Sequence, residues 1–197
     1  MPRHFRYAET MTEYRANVRL IDLPTMTLAG LGADFISAMV QGTDAFSVLP
    51  KLWGQVSGIL ESVQAGGRNV YESKAWMVGA MGEPELPPYA ESNSEAQVEG
   101  RLHYFAGVRV DGLEAELVSA ILAAGLQLRS FKGGRFAACE HVGQLDALGE
   151  TTEWFYKTWL PTEAPDQRFG HHYEIYDERF KMGSPSSVVV ICAPIRD

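Results

Sequence analysis

Cysteine is scarce in this chain. Cys139 and Cys192 are the only two, far apart and in no CxxC pattern, so neither a disulfide framework nor a cysteine zinc site is expected. That usage fits a reducing cytoplasm. Long apolar runs are missing as well: no stretch approaches the roughly 18 consecutive apolar residues that span a bilayer. The opening MPRHFRYAETMTEYRANVRL lacks an apolar core of signal-peptide length, so neither membrane insertion nor export is expected. Basic charge is in deficit, with 17 Lys and Arg against 25 Asp and Glu and a formal net charge of −8. A surface built to neutralise phosphates needs the opposite balance, so no direct nucleic-acid partner is expected. Residues 1–16 are too short for a helix-turn-helix and are read as an N-terminal extension to a stand-alone module.

Metal and phosphate motifs are absent too. His171 and His172 are adjacent in a strand-like run, where neighbours point to opposite faces, and no third ligand stands at useful spacing. The Gly133-Gly134 pair lacks the spacing and the following helix of a P-loop, and a tight turn between strands accounts for it. No metal and no cofactor are expected.

What is present is an ordinary globular composition, 46% hydrophobic and 21% charged. Residues 17–33 alternate apolar and polar around Pro24, which suits an extended edge segment. Phe46, Leu49, Trp53, Val56, Leu60 and Val63 step by three and four, one helical stripe, which AGGRN (65–69) stops. KAWMVGAM and LHYFAGVRV read as strands on either side of an acidic loop, 82–100, rich in Pro, Gly and Ser. Its Glu83, Glu85, Glu91, Glu95 and Glu99 read as a solvated linker. The order then recurs: extended chain through Lys132-Gly133-Gly134, a helix with Leu145, Leu148, Thr152, Phe155 and Trp159 in step and Pro161 at its end, the strand HHYEIY, and the β-branched strand SSVVVICAPI. Each half thus reads as extended segment, helix, strand, strand.

PKLWGQV, YFAGVRV, GGRFAACEHVGQL, the ending Trp159-Leu160-Pro161, YEIY and the closing VVVICAPI, in this order, resemble the GyrI-like small-molecule-binding family. That family includes the effector-binding domains of multidrug-responsive bacterial regulators. The resemblance covers nearly everything from Asn17 to the C-terminus. It implies an α+β fold: a pseudo-twofold tandem duplication of a βαββ module, half-modules about 17–111 and 124–197, antiparallel sheets with two main helices, and a ligand groove between the modules. It also implies that an acid on the strand near the C-terminus meets lipophilic cations, and the matching position is Glu174.

Strand alternation puts His172, Glu174 and Tyr176 on one face and His171, Tyr173 and Ile175 on the other. A solvated acid is the plain alternative for Glu174; the resemblance favours a ligand-facing carboxylate. Trp53, Trp76, Tyr104, Phe155 and Tyr176 are the aromatic candidates around a cation. Core packing competes for each of them and weighs most for Phe155. Cys139 and His141 read as a small core cysteine beside a surface histidine. The expected activity is capture of an aromatic, cationic, lipophilic compound with Glu174 as counter-charge. A second reading is a hydrolase of strained, cyclopropane-type electrophiles, in which Glu174 with Tyr176 or Tyr104 directs water. A third is a protein-interaction role carried by the acidic surface, its partner unidentified.

Overall fold

The computed structural model describes residues 18–64, 69–82, 100–165 and 170–196. The N-terminal extension, the interior of the acidic loop and most of the AGGRN stop lie outside the described residues. Among the described residues eight strands form one sheet: β1 (Val18–Leu23), β2 (Met26–Ile36), β3 (Met77–Gly82), β4 (Arg101–Arg109), β5 (Gln127–Phe131), β6 (Gly134–Val142), β7 (His172–Tyr176) and β8 (Val188–Pro194). The helices are α1 (Ala45–Ser62), α2 (Ala115–Ala123), α3 (Leu148–Trp154) and α4 (Leu160–Glu163), with a π turn, Phe155–Trp159, joining the last two. Strand–helix–strand–strand occurs twice along the chain, as β2-α1-β3-β4 and as β6-α3/α4-β7-β8.

The strand order is β1-β6-β8-β7-β3-β4-β2-β5, and the pairings are antiparallel. Two short links set its shape. Only Pro24 and Thr25 separate β1 from β2, and only Lys132 and Gly133 separate β5 from β6. Each of these strand pairs has five other strands between its members in the sheet. A flat sheet would hold them roughly 29 Å apart at about 4.8 Å per strand, whereas three Cα steps reach about 11 Å. The sheet therefore curls until its edges approach. The two links touch: a Cβ on Gly133 would lie 2.3 Å from the Leu23 carbonyl oxygen and 2.5 Å from the Thr25 nitrogen.

Curling encloses one face. Met26, Leu28, Val78, Ala80, Phe105, Phe131, Phe136, Tyr173 and Ile175 fill it without any helix, and Tyr173 satisfies its hydroxyl by donating to the Lys132 carbonyl at 3.0 Å. The helices lie on the outer face in two groups. Leu52, Val56 and Leu60 of α1 with Leu117 and Ile121 of α2 pack on Ala29, Tyr104, Ala106 and Val108 of β2 and β4. Trp154, Phe155 and Leu160 pack on Ala137, Cys139, Ile191 and Ala193 of β6 and β8. Strands β3 and β7 run between these two groups, paired to one another with Gly79 opposite Glu174.

The structure departs from the sequence pattern in several places. Residues 17–33 hold two strands, and only β1 is an edge; β2 pairs on both sides. Phe46 is 77% exposed, and the buried stripe of α1 is Ala45, Leu52, Val56 and Leu60. The second helix does not stop at Pro161, which takes a first-turn position in α4, where a missing N–H costs least. Its buried residues, Thr151, Trp154, Phe155 and Leu160, include a step of five. That step is the π turn, whose Leu160 N–H donates to the Phe155 carbonyl, and it breaks the stripe of threes and fours. The KGG segment links strands that do not pair, so it is no hairpin turn. Helix α2 was missed, although Leu117 and Ile121 stand four apart before Gly125, whose φ is 106°. His141 is buried, not superficial: its Nδ1 lies 2.8 Å from Thr151 Oγ1 and its Nε2 3.0 Å from the Gln144 carbonyl oxygen.

The touching links yield a stability prediction. Gly133→Ala forces backbone against backbone and should destabilise by about 1 to 3 kcal/mol. Gly149→Ala, in α3 with open space around its Cβ position, should be neutral or stabilise by up to about 1 kcal/mol. Urea unfolding midpoints measure both, and equal midpoints would contradict the crossing.

Candidate functional site

Glu174 stands on β7 with Tyr173 and Ile175 turned to the enclosed core. Period-two alternation therefore points its carboxylate to the outer face, over the strands between the two helical groups. Its Oε2 accepts two phenol hydrogen bonds, from Tyr104 at 2.6 Å and from Tyr176 at 3.1 Å. Among the described residues Oε1 has no hydrogen-bond partner, and no Lys or Arg pairs with the group.

Tyr104 reaches Glu174 from β4, across the whole width of β3. The crossing requires a glycine beneath it: a Cβ on Gly79 would sit 1.7 Å from the Tyr104 hydroxyl. Trp53 of α1 holds the phenol from above. Its indole N–H donates to Tyr104 Oη at 3.2 Å, and its ring meets Tyr104 and Tyr176 edge-on at 6.3 and 5.3 Å between centroids. Phe180 closes on the other side of Tyr176 at 4.9 Å. Trp53, Tyr176 and Glu174 are half-buried, while Tyr104 is 1% exposed. Tyr104 thus positions the acid, and Trp53 and Tyr176 present ring surface beside it.

Burial raises the Glu174 carboxyl above the usual carboxylate range, and the two phenol donors only partly offset the rise. The phenols are pushed well above theirs, first by burial and then by the Glu174 charge. They stay protonated and remain donors. Desolvation therefore outweighs hydrogen bonding at this acid, as it does where a buried charge lacks a counter-ion.

Of the six candidates, Glu174, Tyr176, Tyr104 and Trp53 come together. Trp76 does not: it precedes β3 with the parity of Val78 and Ala80, packs against the enclosed core, and carries the Arg109 guanidinium 5.1 Å from its ring centroid. It lines a separate open depression of about 170 Å³ with Lys74, Arg109 and Asp111. Phe155 is fully buried, stacked on Trp159 at 5.7 Å, a core position. Sequence reasoning missed Gly79, Phe180 and Tyr156. Tyr156 follows Phe155 in the π turn, and the Glu174 charge raises its phenol further after burial. No local signal marks any of the three. Among the described residues no cluster of His, Cys, Asp and Glu could hold a metal ion.

The carboxyl's elevation has a consequence for stability. The folded chain keeps a proton on Glu174 over a range in which the unfolded chain has lost it. The wild type therefore loses stability as pH rises from the ordinary carboxylate value through the raised one. Glu174→Gln escapes that loss, and other groups such as His172 contribute equally to both proteins. The variant's melting temperature should gain on the wild type between pH 4 and pH 8, by about 2 to 4 °C per kcal/mol for a chain of this size. A gap that does not change with pH would contradict a destabilised carboxylate.

No curated protein sequence matches the chain. Among solved structures, SAV2435 bound to tetraphenylphosphonium superposes with a TM-score of 0.60 at 16% identity, covering 91% of this chain and 93% of its own. A putative bacterial transcription regulation protein from Staphylococcus aureus MU50 gives 0.59 at 12%, covering 91% and 98%. An integron cassette protein from the mobile metagenome of Vibrio cholerae gives 0.55 at 14%, covering 91% and 96%. At such identities the likeness is one of fold. The match to the GyrI-like small molecule binding domain runs over residues 16–196, nearly the whole chain, and the protein belongs to that family.

Proposed function

We propose that this protein captures an aromatic, lipophilic cation in a groove between its two βαββ halves, which form a pseudo-twofold pair with boundaries near 17–111 and 124–197. Glu174 is the counter-charge. One observation carries the reading: a half-buried carboxylate, raised by desolvation and flanked by rings, has no basic partner among the described residues. A cation arriving from solution supplies what the fold omits. In a partly dry site the attraction exceeds its value in water several-fold. The ring faces of Trp53 and Tyr176 add about 0.5 to 2 kcal/mol each where the cation sits over them. Tetraphenylphosphonium, bound by SAV2435, belongs to this ligand class and serves as the probe.

Binding would restore Glu174 to its charged form, so affinity should rise with pH through the raised carboxyl value and then level off. Titration calorimetry in buffers of different ionisation enthalpy should show proton release near the lower end of that range. Glu174→Gln should weaken tetraphenylphosphonium about tenfold or more, since tenfold is only 1.4 kcal/mol, and should flatten the pH dependence. Equal affinity in both proteins would remove the counter-charge role. The hydrolytic reading draws on the same raised acid and on its Oε1, which no described residue bonds. Catalytic turnover of a cyclopropane-bearing alkylating agent, lost in Glu174→Gln, would establish that reading in place of simple capture.

Gly79 offers an independent check, because its variant removes no polar group. Gly79→Ala cannot coexist with the Tyr104 hydroxyl at its present position, so the phenol must leave Glu174. Tetraphenylphosphonium affinity should fall several-fold, and Tyr104→Phe should reproduce the fall. Unchanged binding in both would show that the phenol does not position the acid.

A further inference from the structure

Two residues before Glu174, on the same face of β7, stands His172. Its Nδ1 lies 2.9 Å from the Tyr156 hydroxyl, with ring centroids 5.3 Å apart. Tyr156 belongs to the helical group over β6 and β8, whereas Trp53 belongs to the group over β2 and β4. Strand β7 is thus approached from both groups, at Glu174 by Trp53 through Tyr104 and at His172 by Tyr156.

The chemistry of this pair sets its proton positions. A phenol O–H is a strong donor and an imidazole nitrogen a strong acceptor. The Tyr156 hydroxyl has no other hydrogen-bond partner among the described residues. Oη–H therefore donates to Nδ1, and the imidazole proton resides on Nε2. Burial, followed by the neighbouring His171, pushes His172 down to about 4, so the ring is neutral near pH 7 and does not act as the acid's counter-ion. Nε2–H has no hydrogen-bond partner among the described residues, and His172 is half-buried. Two residues along a strand advance about 6.5 to 7 Å, so one face of β7 carries the carboxylate residue and the N–H donor residue at about that backbone spacing.

We infer that His172 Nε2–H is a second recognition point, and that the preferred ligands are aromatic cations carrying a hydrogen-bond acceptor about 7 Å from the cationic centre. This rests on the proposed capture of cations at Glu174. An apolar ligand covering the N–H strands a donor away from water, which costs affinity; an acceptor placed there recovers it. The donor selects among cations that the carboxylate alone would treat alike.

The test compares tetraphenylphosphonium with its mono-para-acetyl analogue by titration calorimetry against wild type, His172→Phe, His172→Gln and Glu174→Gln, each checked for folding by thermal melt. The acetyl analogue should bind wild type about fivefold more tightly than the parent, the worth of one neutral hydrogen bond. His172→Phe should bring the ratio of the two affinities to about one, and His172→Gln, which keeps an N–H donor, should restore part of it. A ratio near one in wild type, or a preference that persists in His172→Phe, would overturn the inference. Glu174→Gln separates the two proposals: it should weaken both ligands alike, and if it weakens neither, the failure belongs to the counter-charge reading.

Discussion

The hydrogen bond from Tyr104 to Glu174 spans two strand spacings, and the rest of the site is arranged around making it possible. Gly79 clears the path across β3. Trp53 donates to the phenol oxygen from α1, so the packing of that helix on β2 and β4 also fixes the hydroxyl. Tyr176 completes the pair of donors on one carboxylate oxygen. These bonds orient the acid without neutralising it, and burial leaves its proton affinity raised. A fold optimised for stability alone would place an arginine here or replace the acid, because an unpaired buried charge is among the more expensive features a chain can carry. Its retention beside the half-buried rings of Trp53 and Tyr176 is what supports the proposed capture of a cation.

The curled sheet makes that placement possible. Two links of two residues draw opposite edges of an eight-stranded sheet together, and the enclosed face fills with aromatic and branched side chains. Among the described residues the helices pack outside, in two groups over the flanking strands. The central strands β3 and β7 are left between them. Glu174, His172 and Tyr176 face that strip, while Tyr173 and Ile175 anchor the same strand from within. One strand thus carries core and site on its two faces. The helical groups then meet the strip from either side, Trp53 through Tyr104 and Tyr156 through His172, so a single short strand is read by residues distant in sequence.

Much of this was legible locally. Period-two alternation in HHYEIY assigned the faces of β7 correctly, because a strand has only two. The stripe of three and four located α1, although Phe46, at its exposed start, shows that periodicity alone cannot tell which end of a stripe reaches the core. In KAWMVGAM both faces are apolar, since one turns to the enclosed core and the other to α1; parity was therefore invisible, and Trp76 falls opposite the acid. The π turn defeated the second stripe by inserting one residue into the helical period, which hid Tyr156 behind Phe155.

What the amino-acid sequence determined by itself is each segment's preferred periodicity and the presence of one carboxylate in an aromatic strand, since both depend on neighbours within a few residues. The tertiary structure alone decided that Gly79 must lack a side chain, that Tyr104 and Tyr156 converge on β7 from opposite groups, and that no basic residue among those described reaches Glu174. Those are distances between atoms separated by tens of residues, set by sheet register and curvature, and no local rule encodes them.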